Sequence, residues 1–396
     1  MVGTTLLVTL VVAALASLFM AWAIGAGSSG STPFAPAVGA NAISVMRAGF
    51  LVGLLGLAGA TLQGANVSQA VGRQLIHGVT LSPAGATIAL LLAAILVAVG
   101  VFAGYPIATA FTVTGAVVGV GLAAGGAPAW PKYRQIVGVW IAVPFVGGAI
   151  AYAVARLLRN DHVPETLAVP SLAGLVGLLL ANVNFVLLGG PNGQSSIAAA
   201  LARTLGQDSI AGQIGISIVL AAAAAGLLYR DVAGETATGQ RHFLLVMGGL
   251  VAFSAGGSQV GLAIGPLLPL LGKDTGVVVP LVGVLAFGGL GLLAGSWTGA
   301  PRMIKALSQD YSSLGPRRSI AALIPSFAIA QTAVFLGIPV SFNEIIVSAI
   351  IGSGAAAGDG EVSREKMAKT VLAWIGSLAL ALLAGFGLYR AGAAIL

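Results

Sequence analysis

The chain has 396 residues, of which 58% are hydrophobic and only 7% are charged. Soluble domains average about 25% charged residues and need polar groups at their surface, so this composition excludes an ordinary soluble fold. The apolar runs are about 17 to 25 residues long and do not alternate in polarity, which excludes a transmembrane β-barrel. The sequence predicts an all-α polytopic membrane protein with about 10 to 12 membrane segments.

The net charge of +7 comes from basic residues scattered through short loops. Lys and Arg commonly flank membrane spans in this way, so we expect a lipid bilayer, and no nucleic acid, as partner. The chain has no cysteine, and its three histidines are too widely spaced for a metal motif. We therefore expect no metal or other cofactor, and a multi-pass location in the cell membrane.

Two segments of the chain resemble each other. Residues 104–125 read GYPIATAFTVTGAVVGVGLAAG, and residues 337–358 read GIPVSFNEIIVSAIIGSGAAAG. Each is preceded at nearly equal distance by a glycine- and serine-rich stretch, which begins at Gly25 in one half and at Gly256 in the other. This order predicts two inverted-topology repeats with discontinuous or re-entrant helices, a design that places a transport site between the repeats.

The repeats divide the chain into three parts. We expect a first transport repeat over 1–160, central connecting membrane segments over 161–241, and a second, inverted repeat over 242–396. The loop at 302–318 carries more Lys and Arg than its first-half counterpart, which favours a cytoplasmic position for it and an external N-terminus.

Small and polar residues interrupt the apolar pattern at 25–41, 104–112, 254–266 and 337–344. Non-helical backbone is tolerated at membrane depth where protein or water satisfies its polar groups, and a helix that begins there offers N–H groups to an anion. Close helix packing by small residues is the alternative explanation for any single segment. The paired occurrence in both halves favours an anion site.

Three segments resemble the inorganic phosphate transporter (Pit) family. Residues 104–123 resemble its Gly-Leu-Pro-Val-Ser-Thr-Thr-His segment, residues 253–267 (FSAGGSQVGLAIGPL) resemble its Asn-Asp signature, and residues 59–76 resemble the stretch after the first signature. The resemblance covers nearly the whole chain. It implies an inverted-repeat secondary transporter of phosphate, driven by sodium or protons, with sulfate-transporting relatives.

The chain departs from the family at polar positions. The two Asn-Asp pairs, which in the family help bind the coupling cation, fall on Gly27 and Ser28 and on Ser258 and Gln259. The two Ser-Thr-Thr-His segments fall on Ala108, Thr109, Ala110 and Phe111, and on Ser341, Phe342, Asn343 and Glu344. The loss of both carboxylates argues against sodium at the usual place, because neutral oxygens alone bind a hard cation weakly.

The remaining hydroxyl and amide groups can donate hydrogen bonds to an oxyanion without a fixed charge. Each of them fits two roles equally well, as lining of an anion site or as a hydrogen-bonding contact between helices. The candidate substrate-binding residues are Ser28, Ser29, Thr109, Ser258, Gln259, Ser341 and Asn343. Arg47 is a further candidate, although an arginine at a span end more often anchors the helix at the interface.

Glu344 alone among the eleven acidic residues follows a broken turn directly into an apolar run. A carboxylate within the bilayer costs about 2.5–3.5 kcal/mol, so such residues are commonly functional. We predict Glu344 as the carboxylate that couples transport to a proton. A carboxylate near the interface, neutralised by water or by Arg47, is the alternative.

The sequence favours an ion-coupled carrier of phosphate or a similar tetrahedral oxyanion, with a proton preferred over sodium. A sulfate permease and a non-transporting anion sensor stay open, and a second copy of the chain is a candidate homodimer partner. We expect no enzyme, because the spans contain no His or Asp that could activate a serine.

Overall fold

A computed structural model describes residues 4–185, 188, 194–272, 277–358 and 363–395. Within these residues, ten helices are long and apolar enough to cross a membrane, and two shorter apolar helices accompany them. The prediction of an all-α polytopic membrane protein is confirmed.

The first part of the chain forms helices that alternate between long spans and short segments. The helices are α1 (Thr4–Gly27), α2 (Ala35–Gly39), α3 (Val45–Gln63), α4 (Ala65–Arg73), α5 (Pro83–Ala103), α6 (Thr109–Ala123), α7 (Trp130–Leu158), α8 (Glu165–Asn182), α9 (Ile197–Thr204) and α10 (Ile210–Gly234). Two antiparallel pairs of two-residue strands tie loops together: β1 (Ile76–His77) with β2 (Ala127–Pro128), and β3 (Asn184–Phe185) with β4 (Ser195–Ser196).

The later part of the chain also alternates between long and short helices. Its helices are α11 (Thr236–Ile264), which runs on into a 3₁₀ turn at Gly265–Leu270, then α12 (Leu281–Thr298), α13 (Ala300–Gln309), α14 (Pro316–Leu336), α15 (Phe342–Ala355) and α16 (Arg364–Ile395). The central helices α8 and α10 pack against each other.

Two helical hairpins, α5 with α6 and α14 with α15, are built alike. Both α5 and α14 have a proline in the first turn, which suits the fixed φ of that residue. They end at Gly104 and Gly337, whose φ angles of 72° and 60° lie in the left-handed region that glycine adopts without strain. Extended residues follow each glycine before the next helix begins at Thr109 or Phe342.

The long helices pack through glycines at matched places. The backbone of α1 at Gly25 lies against Leu292 of α12, and the backbone of α11 at Gly256 lies against Gly56 of α3. Small residues allow such backbone contact between membrane helices. The second-half glycines at 256, 257 and 261 therefore serve helix packing.

One of the four expected interruptions of the helices is wrong for most of its length. The sequence predicted a break at 254–266, but α11 stays helical to Ile264 and the 3₁₀ turn starts only at Gly265. The glycines reduce the stability of α11 little here, because Gly256, Gly257 and Gly261 each pack closely against residues of α3 or α4. The other three interruptions contain non-helical residues, at 28–34, 104–108 and 337–341.

Each hairpin is held by side chains from the other half of the chain. Trp140 of α7 donates from Nε1 to the carbonyl oxygen of Pro339 at 2.9 Å, and Trp374 of α16 donates to that of Pro106 at 2.7 Å. Lys132 of α7 and Lys366 of α16 donate in the same crossed manner to the carbonyl oxygens of Gly337 (3.2 Å) and Gly104 (3.5 Å).

The α3–α11 contact predicts a steep cost for a single methyl group. In Gly256→Ala, the new Cβ overlaps the carbonyl oxygen of Gly56, and we expect a loss of roughly 1–3 kcal/mol of stability. Thermal unfolding in detergent measures it. Gly226→Ala in α10, where a Cβ meets nothing within 4 Å, is the control and should be neutral or slightly stabilising. Equal melting temperatures for the two variants would contradict this packing.

The crossed tryptophans predict matched effects from two distant substitutions. Trp140→Phe and Trp374→Phe each leave a buried proline carbonyl without its donor, at about 1–3 kcal/mol. Both variants should melt earlier than Trp130→Phe, whose ring is 62% exposed. A large loss in one variant with none in the other would refute an equivalent role for the two contacts.

Candidate functional site

The candidate site lies where three helix breaks meet the C-terminal part of α11. Ser28 follows the end of α1, Thr109 begins α6, and Gln259 projects from α11. The hydroxyl groups of Ser28 and Thr109 donate to Oε1 of Gln259, at 3.3 and 2.7 Å, and all three residues are fully buried. Two hydroxyl groups that lie 231 and 150 residues from Gln259 in sequence therefore share its amide oxygen as acceptor.

Two amide groups join the breaks through backbone carbonyls. Nε2 of Gln259 donates to the carbonyl oxygen of Val340 at 2.6 Å. Nδ2 of Asn343 donates to those of Gly27, at 2.8 Å, and Ile107, at 2.7 Å. Because a buried carbonyl without a donor costs about 1–3 kcal/mol, these contacts offset much of the cost of ending three helices inside the protein.

Some buried polar atoms in these segments of chain have no hydrogen-bond partner among the described residues. They are the hydroxyl oxygens of Ser258 and Ser341 and Oδ1 of Asn343. The N-caps of α6 and α15, Ala108 and Ser341, also make no side-chain capping bond. Such groups are rare in protein interiors and commonly indicate a ligand or an ordered water.

The structure brings together most of the predicted binding residues. Ser28, Thr109, Gln259 and Asn343 share the hydrogen bonds described above, and Ser29, Ser258 and Ser341 are buried in the same segments of chain. Arg47, by contrast, is exposed near the start of α3, as expected of an interfacial anchor.

Glu344 occupies a different position from the hydrogen-bonded group. It lies in the first turn of α15 and is 1% exposed, with Oε2 lacking a hydrogen-bond partner among the described residues. The side chain lines an apolar cavity of about 590 Å³ between α7, α15 and α16, whose walls include Phe111, Trp140 and Trp374. Neighbouring residues on a helix point about 100° apart, so the side chains of Asn343 and Glu344 lie in different environments.

Sequence reasoning missed the partners that complete the site. The carbonyls of Gly27, Ile107 and Val340 are backbone groups, which every residue carries, so no residue pattern singles them out. The tryptophans 140 and 374 recur in the same order in both halves, and that recurrence is the signal by which their crossed contacts could have been found.

Known proteins resemble the chain over most of its length. A candidate phosphate permease of Thermococcus kodakarensis is 26% identical over 404 residues, covering 97% of each chain. The chloroplastic inorganic phosphate transporter 2-1 of Arabidopsis thaliana is 26% identical over 401 residues, covering 90% of this chain and 68% of that protein.

A solved structure shares the fold. It is described as the sodium-dependent phosphate transporter, and it matches with a TM-score of 0.81 over 98% of this chain and 100% of that one, at 24% identity. The model of the phosphate transporter family matches residues 24–385, which include both hairpins and every residue of the buried site. The chain belongs to the phosphate transporter family.

Proposed function

We propose that this protein carries inorganic phosphate across the membrane by alternating access, with the anion bound at the first turns of α6 and α15. The two turns start at Thr109 and Phe342, next to the unpaired hydroxyl of Ser341. Backbone N–H groups at a helix start are oriented toward an anion, and the helix dipole adds partial positive charge. Family membership and the phosphate permeases among the relatives support the choice of substrate.

The observation that favours phosphate over sulfate is the unpaired Oδ1 of Asn343. Its amide nitrogen is fixed on two carbonyls, so the oxygen can only accept a hydrogen bond. Phosphate keeps a proton at neutral pH and can donate it to this oxygen, whereas sulfate has none to donate. A buried acceptor left unpaired by the wrong ligand is a strong source of discrimination.

We also propose that residues 1–160 and 242–396 form two inverted transport repeats joined by 161–241. The crossed contacts from Trp140 and Trp374, and from Lys132 and Lys366, support this because equivalent residues bond the opposite hairpin. Arg317 pairs with Glu165 and Lys366 with Asp310, at one end of the bundle. The richness of that end in basic residues favours a cytoplasmic position, with the N-terminus outside.

For coupling we propose a proton rather than sodium, carried by Glu344. The carboxyl group is buried against an apolar cavity, where a charge is costly, and it shares the start of α15 with Asn343 and Ser341. Exchange of a proton on Glu344 would therefore change the energy of the helix that holds the anion. Transport, rather than catalysis, is the proposed activity.

Uptake of labelled phosphate into proteoliposomes tests substrate and driving force together. With pH and sodium gradients imposed separately, we expect uptake to follow the pH gradient and to resist competition by sulfate. Uptake of sulfate in preference to phosphate would instead make the protein a sulfate permease. Phosphate binding with no flux under either gradient would indicate an anion sensor.

Ser341→Ala locates the binding site in the same assay. Removing a hydroxyl that contacts a charged ligand costs about 1.5–3 kcal/mol, so we expect the KM for phosphate to rise roughly 10- to 100-fold. Ser326→Ala is the matched control, because that buried hydroxyl bonds only its own helix at Ala322. Similar KM values for both variants would place the anion elsewhere.

Glu344→Gln separates coupling from binding. The amide keeps the shape of the side chain but cannot exchange a proton, so we expect uptake to lose its response to the pH gradient while phosphate still binds. Ser348→Ala, one turn along α15 in the same cavity, serves as control. If the Gln variant kept the pH response of the wild type, Glu344 would have no coupling role.

A further inference from the structure

The three carbonyls that receive the two amide groups are of a kind that cations ordinarily bind. In carriers with discontinuous helices, unwound backbone carbonyls and the C-terminal ends of half-helices coordinate small cations. Gly27 ends α1, and Ile107 and Val340 lie in the extended segments of the two hairpins. Without the amide donors, each of these carbonyl oxygens would lose the hydrogen bond described above.

The geometry of the donors resembles coordination of an ion. A single nitrogen of Asn343 bridges the oxygens of Gly27 and Ile107 at 2.8 and 2.7 Å, and so draws the first and second breaks of the first half together. The nitrogen of Gln259 holds Val340 at 2.6 Å while its oxygen receives the hydroxyls of Ser28 and Thr109. The two side chains thus hold all three helix breaks together through groups of the protein itself rather than through a bound ion.

We propose that Gln259 and Asn343 are positioning residues whose amide nitrogens take the place of a coupling metal cation. The chain assembles its anion site with tethered N–H donors, and the site forms without sodium. An amide nitrogen offers partial positive charge and two directed hydrogens, so it satisfies the same oxygens that a small cation would. Unlike a cation, it cannot leave with the substrate, and it contributes nothing to the driving force.

This proposal predicts that an isosteric change creates a cation requirement. Gln259→Glu and Asn343→Asp replace the N–H donor by a carboxylate oxygen at almost the same place. The former would set a negative charge beside the Val340 carbonyl, and the latter one beside those of Gly27 and Ile107. A hard cation prefers negatively charged oxygen ligands, so each variant gains the cation ligand that the wild type lacks.

Thermal unfolding in detergent, in sodium chloride against choline chloride at equal ionic strength, is the direct test. For the wild type we expect the same Tm in both salts. Gln259→Glu and Asn343→Asp should melt earlier than the wild type in choline and recover part of the loss in sodium. Asn182→Asp is the charge control, since it adds the same charge at the exposed C-terminal end of α8, away from the three helix breaks, and should show no recovery specific to sodium.

Phosphate uptake gives the second readout and depends on the proposed function. The Gln259→Glu variant should gain a stimulation by sodium of about fivefold or more, whereas the wild type should gain none. If the wild type transports no phosphate, the proposed function fails, but the unfolding experiment still tests the role of the amides.

Three results would overturn the proposal. The first is stabilisation of the wild type by sodium but not by choline, and the second is folded variants with equal Tm in both salts. The third applies where a variant is recovered only in aggregated form. Purification in sodium should then give folded protein. If sodium restores folding in neither variant, the proposal is wrong.

Discussion

The buried hydrogen bonds from two amide side chains are the constraint on which the site depends. Three helices end or begin inside the protein, and each break leaves a backbone carbonyl that the regular hydrogen bonds of a helix do not satisfy. Nε2 of Gln259 and Nδ2 of Asn343 supply the missing donors. Without them the breaks would be unstable, and the helix starts at Thr109 and Phe342 would have no fixed relation to each other.

A second set of contacts also holds the two hairpins in place. The crossed tryptophans hold the carbonyls of Pro106 and Pro339, one residue away from Ile107 and Val340. Trp140 also stacks on Phe111 of α6, with ring centroids 3.9 Å apart. Each half of the chain thus fixes the extended segment of the other, so the two hairpins move only if contacts between the halves change.

The sequence predicted those parts of the fold that depend on composition and order. Long apolar runs indicate membrane spans whatever their packing partners. Ser28, Thr109 and Gln259 stand out because a polar side chain within an apolar run is costly in a membrane and is therefore commonly functional. The repeated Gly-x-Pro segments likewise predicted breaks in the helices, which the structure shows at Gly104 and Gly337.

Features that depend on a partner could not be predicted. Glycines at 254–261 fit a broken helix and a closely packed one equally well, and only the approach of α3 and α4 decides for the helix. Glu344 was predicted to carry the coupling proton, but the surroundings of its side chain depend on a rotation of about 100° per residue from the start of α15, which the sequence does not fix to the residue. The carbonyls at Gly27, Ile107 and Val340 carry no sequence signal.

The most direct test of this account is a high-resolution experimental structure of the protein with phosphate in sodium-free buffer. We expect an anion between the first turns of α6 and α15, with the amide nitrogens of Gln259 and Asn343 still within hydrogen-bond distance of the three carbonyls. A structure in which those carbonyls have separated from the amides, or in which hydrocarbon side chains fill the space between the two turns, would contradict it.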